Sequence, residues 1–117
     1  MNLQEFEKAV TRLEEALAQP KNEFIRDSVI QRFEFCVELG WKTSAKILGL
    51  SSSASRDVVR DMARAGVIRS PELWFDLIDA RNEASHTYKE AVAEKVYSIA
   101  KNSIQSFKNL IEELKKR

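Results

Sequence analysis

Four residue types are scarce in this chain, and each scarcity removes a class of protein. It has one cysteine, one histidine, two prolines and three glycines in 117 residues. A lone cysteine, Cys36, forbids an intrachain disulfide, and its neighbours Phe33, Phe35 and Val37 mark it as a small core residue. One histidine and one cysteine leave no metal-ligand spacing, so no metal site and no cofactor are expected. No apolar run approaches the roughly 20 residues that span a bilayer. The polar, periodic start Met1-Asn2-Leu3-Gln4-Glu5-Phe6 is not a signal peptide. A cytoplasmic protein without membrane contact is the expectation. The net charge is +1, from 19 basic and 18 acidic residues, too little for a global pull toward nucleic acid. RNA binding needs a local patch, or a dimer that joins two patches.

Alternation of period two is absent as well, and so are internal repeats and low-complexity tracts. What the chain does have is apolar spacing of three and four. Leu3, Phe6, Val10, Leu13 and Leu17 line a first helix that closes near Pro20. Ile30, Phe33, Val37, Trp41 and Leu48 mark a second, from about Glu23 to Leu48, with Gly49 as its stop. Ser51 to Ser55 form a short loop rich in N-cap candidates. A short helix then carries Val58, Val59 and Met62 to Gly66. Ser70-Pro71-Glu72 opens a third principal helix, with serine as cap and proline in the first turn. A last long helix is predicted from near Glu90, with Val92, Val96, Ile99, Ser103, Phe107, Leu110 and Leu114 inward. The expectation is one domain over residues 1–117: an all-α, antiparallel up-down four-helix bundle with one additional short helix.

The chemistry concentrates in Asp79-Ala80-Arg81-Asn82-Glu83-Ala84-Ser85-His86-Thr87-Tyr88, which holds the lone histidine and one of two tyrosines. Arginine grips phosphate, asparagine and serine hydrogen-bond to it, and histidine moves protons near neutrality. On a continuous α-helix Asp79, Asn82 and His86 form one stripe, and Arg81, Ser85 and Tyr88 a second. Arg81 and His86 then stand about 140° apart around the axis. They converge if Arg81 curls round, or if two copies of the helix meet across a two-fold axis. The plainer reading is a helix-end histidine beside a surface ion pair of Arg81 with Asp79 or Glu83. Residues Gln31 to Lys42 interleave aromatic and charged side chains. They form either a core stripe with solvated charges between, or a helix whose Arg32, Glu34 or Glu38 is partly buried and orders the Arg–His site.

Four segments together resemble the nucleotidyltransferase substrate-binding protein family of the HEPN superfamily. They are Val29 to Phe35 with Glu38, Trp41 and Lys42; Ser55-Arg56-Asp57-Val58-Val59-Arg60; Leu73-Trp74-Phe75-Asp76-Leu77-Ile78; and Arg81-Asn82-Glu83-Ala84-Ser85-His86-Thr87-Tyr88. The last is similar to the superfamily's pattern of arginine, four residues, histidine. Two departures stand out: Gly40 where alanine is common, and Lys89 where an acidic residue is frequent. The resemblance implies a helical homodimer whose partner is a separate minimal nucleotidyltransferase chain carrying the metal-binding aspartates. It implies a surface binding nucleotide or nucleic acid through Asn82, Ser85 and Tyr88. It also implies an alternative, a metal-independent ribonuclease toxin with Arg81 and His86 as catalytic residues. In that system the nucleotidyltransferase is the antitoxin and silences the toxin by adenylylating Tyr88.

Overall fold

The structure, a computed structural model, describes residues 2–117. It contains six α-helices and one 3-10 turn, with no strand among the described residues. The fold is all-α. The helices are α1 (Leu3–Leu17), α2 (Glu23–Leu48), α3 (Ser55–Arg64), α4 (Pro71–Glu83), α5 (Glu90–Lys101) and α6 (Ile104–Lys115). The turn covers Ala84–His86.

Local chemistry starts and stops most of these helices. Asn2 caps α1 by accepting from Glu5 N at 2.9 Å, and Asn22 caps α2 by accepting from Ile25 N at 2.8 Å. Gly49 ends α2 in the left-handed region at φ +67°, and Leu50 N then reaches Ala45 O at 2.9 Å. The serine loop behaves differently from expectation. The N-cap of α3 is Ala54, with no side-chain cap, while Ser52 Oγ accepts from Ala54 N at 3.2 Å. Pro71 stands at the start of α4, as its sequence signal predicts.

The single last helix is corrected by the structure. The rod breaks at Asn102 and Ser103 into α5 and α6. Asn102 Nδ2 donates to Ser98 O at 3.0 Å, and buried Ser103 Oγ donates to Ala100 O at 2.7 Å. These short polar side chains compete with the backbone for its own carbonyls, and the backbone tightens, with Ser103 N bonding Ala100 O at 3.1 Å. Val92 and Ile99 lie at the margin of the core, while Ala93, Ala100 and Ile111 are buried in it.

The 26 residues of α2 run about 39 Å, close to the 40 Å long axis of the molecule. It packs against all five other helices. Where they converge, Phe107 of α6 meets Trp74, Phe6 and Phe33 at centroid distances of 5.7, 6.1 and 6.3 Å. Such pairs add about 0.5–1.5 kcal/mol each beyond their burial. Gly40 lets α4 approach α2 here, because the Trp74 ring fills the space a side chain would need.

Candidate functional site

The polar motif forms a corner between α4 and α5. Its α-helix stops at Glu83, because the next residues offer hydroxyls to the terminal carbonyls. Ser85 Oγ donates to Asn82 O at 3.1 Å and Thr87 Oγ1 to Ala84 O at 3.3 Å. The chain tightens through Ala84–His86, and Lys89 N bonds His86 O at 3.1 Å. The two predicted stripes do not survive beyond Glu83, since the helical register is lost there.

At the corner His86 and Tyr88 come together and face outward. Their rings meet edge to face at 5.9 Å, and Tyr88 Oη lies 3.5 Å from His86 Nδ1. Tyr88 is 78% exposed. Lys89 Nζ sits 6.0 Å from the centre of its ring. Asn82 and Ser85 are exposed on the same corner, and Ser85 uses its hydroxyl on the backbone.

Arg81 takes another direction. It projects from the last turn of α4 to α2, where its Nε lies 2.8 Å from Glu38 Oε1. This is an ion pair by distance, although the N–H does not point at that oxygen. Lys42 Nζ holds the other oxygen of Glu38 at 2.9 Å. Of the three α2 residues weighed as organisers, Glu38 does touch the motif. Arg32 bonds Ser28 Oγ at 3.2 Å instead, and Glu34 lines a cleft beside Thr87. Among the described residues no hydrogen bond or ring contact joins Arg81 to His86 within one chain.

One organiser escaped sequence reasoning. Arg26 is 4% exposed and binds Asp27 at 3.2 Å, Glu94 at 3.1 Å and also Glu90. Glu94 also pairs with Lys21. The hydrogen bond to Glu94 raises the Arg26 pKa above its usual value, with Glu90 and Asp27 adding to it and burial opposing. In turn Lys21 first, then Arg26, holds Glu94 below the ordinary glutamate range. This network clamps the start of α5 to the start of α2 and so fixes where the His86–Tyr88 corner ends. An arginine four residues into a helix carries no sequence sign of burial; only its distant partners on α5 disclose it.

Among the described residues no group of three or more His, Cys, Asp or Glu side chains could hold a metal ion. No helix among the described residues is long and apolar enough to cross a membrane.

A helical chain with an arginine, four residues and a histidine at an exposed interhelical corner defines a class. Residues 1–116 match the family described as nucleotidyltransferase substrate binding protein like, and the chain belongs to it. It is 30% identical over 96 residues to a Haemophilus influenzae protein named "Probable ribonuclease HepT". That match covers 75% of this chain and 66% of the relative. A crystal structure from Thermus thermophilus superposes with a TM-score of 0.78 at 28% identity, covering 96% of this chain and 97% of the other.

Proposed function

We propose that this chain is the substrate-binding partner of a separate minimal nucleotidyltransferase, and that it meets nucleotide or nucleic acid through the Arg81–Tyr88 corner. The observation that carries the reading is the outward pairing of His86 and Tyr88 beside an arginine braced by Glu38. Asn82 and Ser85 add polar groups to the same exposed corner. In this reading α5 and α6 act as one bent rod, which makes the molecule an antiparallel up-down four-helix bundle with α3 as the extra helix. The protein works in the cytoplasm as a homodimer.

A second reading, a metal-independent ribonuclease toxin, is favoured by the name of the Haemophilus influenzae relative. His86 would take the proton from a ribose 2′-OH, whose oxygen then attacks the adjacent phosphorus. The P–O bond to the next nucleotide breaks, leaving a 2′,3′-cyclic phosphate and a 5′-OH that must be protonated. Arg81 would stabilise charge on the phosphate oxygens. One histidine per chain supplies both proton steps when a two-fold dimer places two copies at one groove.

Regulation belongs to the same corner. The exposed Tyr88 hydroxyl attacks the α-phosphorus of ATP bound on the nucleotidyltransferase; pyrophosphate leaves, and AMP remains on the oxygen. Its bulk and negative charge then cover His86.

An RNA-cleavage assay on the purified protein separates the readings. Cleavage lost in His86→Ala, and reduced in Arg81→Ala by the equivalent of about 2.7–4 kcal/mol, selects the ribonuclease. RNA or nucleotide binding without cleavage selects the binding partner. Incubation with a cognate minimal nucleotidyltransferase, ATP and magnesium, followed by peptide mapping, tests Tyr88. Tyr97, half-buried under Lys21 at 4.6 Å, is the internal control. Label on Tyr97 that survives Tyr88→Phe would remove Tyr88 from the regulatory role.

A further inference from the structure

Three surfaces lead away from the Arg81–Tyr88 corner, and their charges differ. Beside Thr87, the cleft against the first half of α2 is walled by Asp27 and Glu34. The groove between α4 and α5 carries Asp76, Asp79 and Glu83 against Lys95. Both repel an anionic strand. The third surface runs along α4 to α3, which carries Arg56 and Arg60, and on to the end of α2, where Lys42 and Lys46 line a cleft with Glu38.

On that surface the guanidinium carbons of Arg56 and Arg60 lie 5.0 and 5.3 Å from the centre of the Phe75 ring. Phe75 is half-buried, while the two arginine side chains are 45% and 49% exposed. Each guanidinium is held at one edge, Arg56 by Asp79 and Arg60 by Asp57, the latter at 3.1 Å. A guanidinium has five N–H donors, so each keeps donors and an outer face for something else. The arrangement is continuous with the corner, because Phe75, Asp79 and Asn82 lie within about 60° of one line on α4. On its far side it joins a cleft of about 570 Å³ where Trp41 stands with Lys42, Lys46, Ser52 and Ser53, and where Glu38 holds Lys42. Ser52 Oγ makes the link, 3.5 Å from the Asp57 carboxylate that holds Arg60.

We propose that Arg56 and Arg60, laid over Phe75, form a stacking and phosphate-contact platform for single-stranded RNA. It carries the strand from the Arg81–Tyr88 corner toward the Trp41 cleft. The proposal rests on the reading of that corner as a nucleic-acid contact. Phe75 keeps the guanidinium planes in place, and their outer faces accept unstacked bases while the free N–H groups reach phosphates. Asp57 and Asp79 offset part of the positive charge, which sets the platform toward stacking rather than indiscriminate attraction.

The test uses the full-length protein and a fluorescein-labelled oligouridylate of about a dozen nucleotides, followed by anisotropy across a salt series. Arg56→Ala/Arg60→Ala should weaken binding at least about tenfold. It should also make the dependence of log K on log salt shallower by about 1.4, or about 0.7 for each phosphate that is no longer neutralised. Arg56→Lys/Arg60→Lys keeps the charge without the planar fork, so it should restore the slope but only part of the affinity. Circular dichroism melts establish that each variant is folded, and the lysine pair carries the test if the alanine pair is not. Parental affinity in the folded alanine pair, or full affinity in the lysine pair, overturns the platform and leaves the corner's role standing. A parent protein that binds no RNA even at low salt overturns the platform together with the reading of the corner as a nucleic-acid contact.

Discussion

Gly40→Ala puts the packing of α4 on α2 to a direct test. A Cβ at this position would lie 2.5 Å from Trp74 Cη2, 3.1 Å from Trp74 Cζ3 and 3.3 Å from Phe6 Cζ. Ordinary contact begins near 3.4 Å, so the indole must retreat by 3.4 − 2.5 = 0.9 Å. Its aromatic neighbours oppose that move. Trp74 is 1% exposed and already meets Phe107 edge to face at 5.7 Å, and Phe107 in turn is wedged against Phe6 and Phe33. Two effects oppose each other. Alanine in place of glycine inside a helix gains about 0.8–1.0 kcal/mol of propensity. Overpacking a filled core costs about 1–3 kcal/mol, and a buried ring wedged against another aromatic ring sits at the upper end. The expected net loss is about 2 kcal/mol, a fall of several degrees in Tm for a domain of this size. Urea unfolding followed by far-UV circular dichroism measures it. Gly40→Ala/Trp74→Phe, where the smaller ring releases the space, should show a favourable coupling of more than about 1 kcal/mol in the double-mutant cycle. A Gly40→Ala protein more stable than the parent would mean that propensity wins, that Trp74 has room, and that the packing argument is wrong.

Thr43 is fully buried and its Oγ1 has no hydrogen-bond partner among the described residues, so Thr43→Val should raise stability by about 1 kcal/mol in the same unfolding experiment. The folded-state pKa of Glu94 is depressed, so its contribution to stability is present above the ordinary glutamate value of about 4.3 and fades as pH falls through the lower folded value. Glu94→Gln should therefore cost stability at neutral pH, and the gap to the parent should close in acid; a gap that persists unchanged at low pH would break the assignment. The large exposed hydrophobic or aromatic side chains are Phe24 and Phe35 on α2, Leu73 on α4 and Tyr88 at the corner where α4 ends, 84%, 52%, 49% and 78% accessible. A two-fold dimer with α4 at or near its interface is expected from light scattering at micromolar concentration, and a well-behaved monomer would refute it.

The helices were readable in the sequence because their causes are local. Asn2 and Asn22 sit a fixed few residues before the amides they cap, Pro71 suits a first turn, and Gly49 alone tolerates the turn that ends α2. The Arg81–Tyr88 segment was also legible, since unusual residue types cluster within eight positions. Its shape was not. Whether Ser85 and Thr87 point out or cap carbonyls depends on small differences that periodicity does not record, and so the stripe geometry and the unbroken last helix were both misjudged.

Local chemistry thus dictates an all-α chain and most of its helix boundaries, and the residue order sets Arg81, Asn82, His86 and Tyr88 within eight positions. Tertiary structure alone decided that Arg26 is buried between α2 and α5, that Arg81 turns to Glu38 rather than His86, that Trp74 occupies the space over Gly40, and that Arg56 and Arg60 lie on Phe75. The physical reason is separation along the chain. Each of these contacts joins residues 15 to 68 positions apart, and its energy appears only when packing brings the helices together.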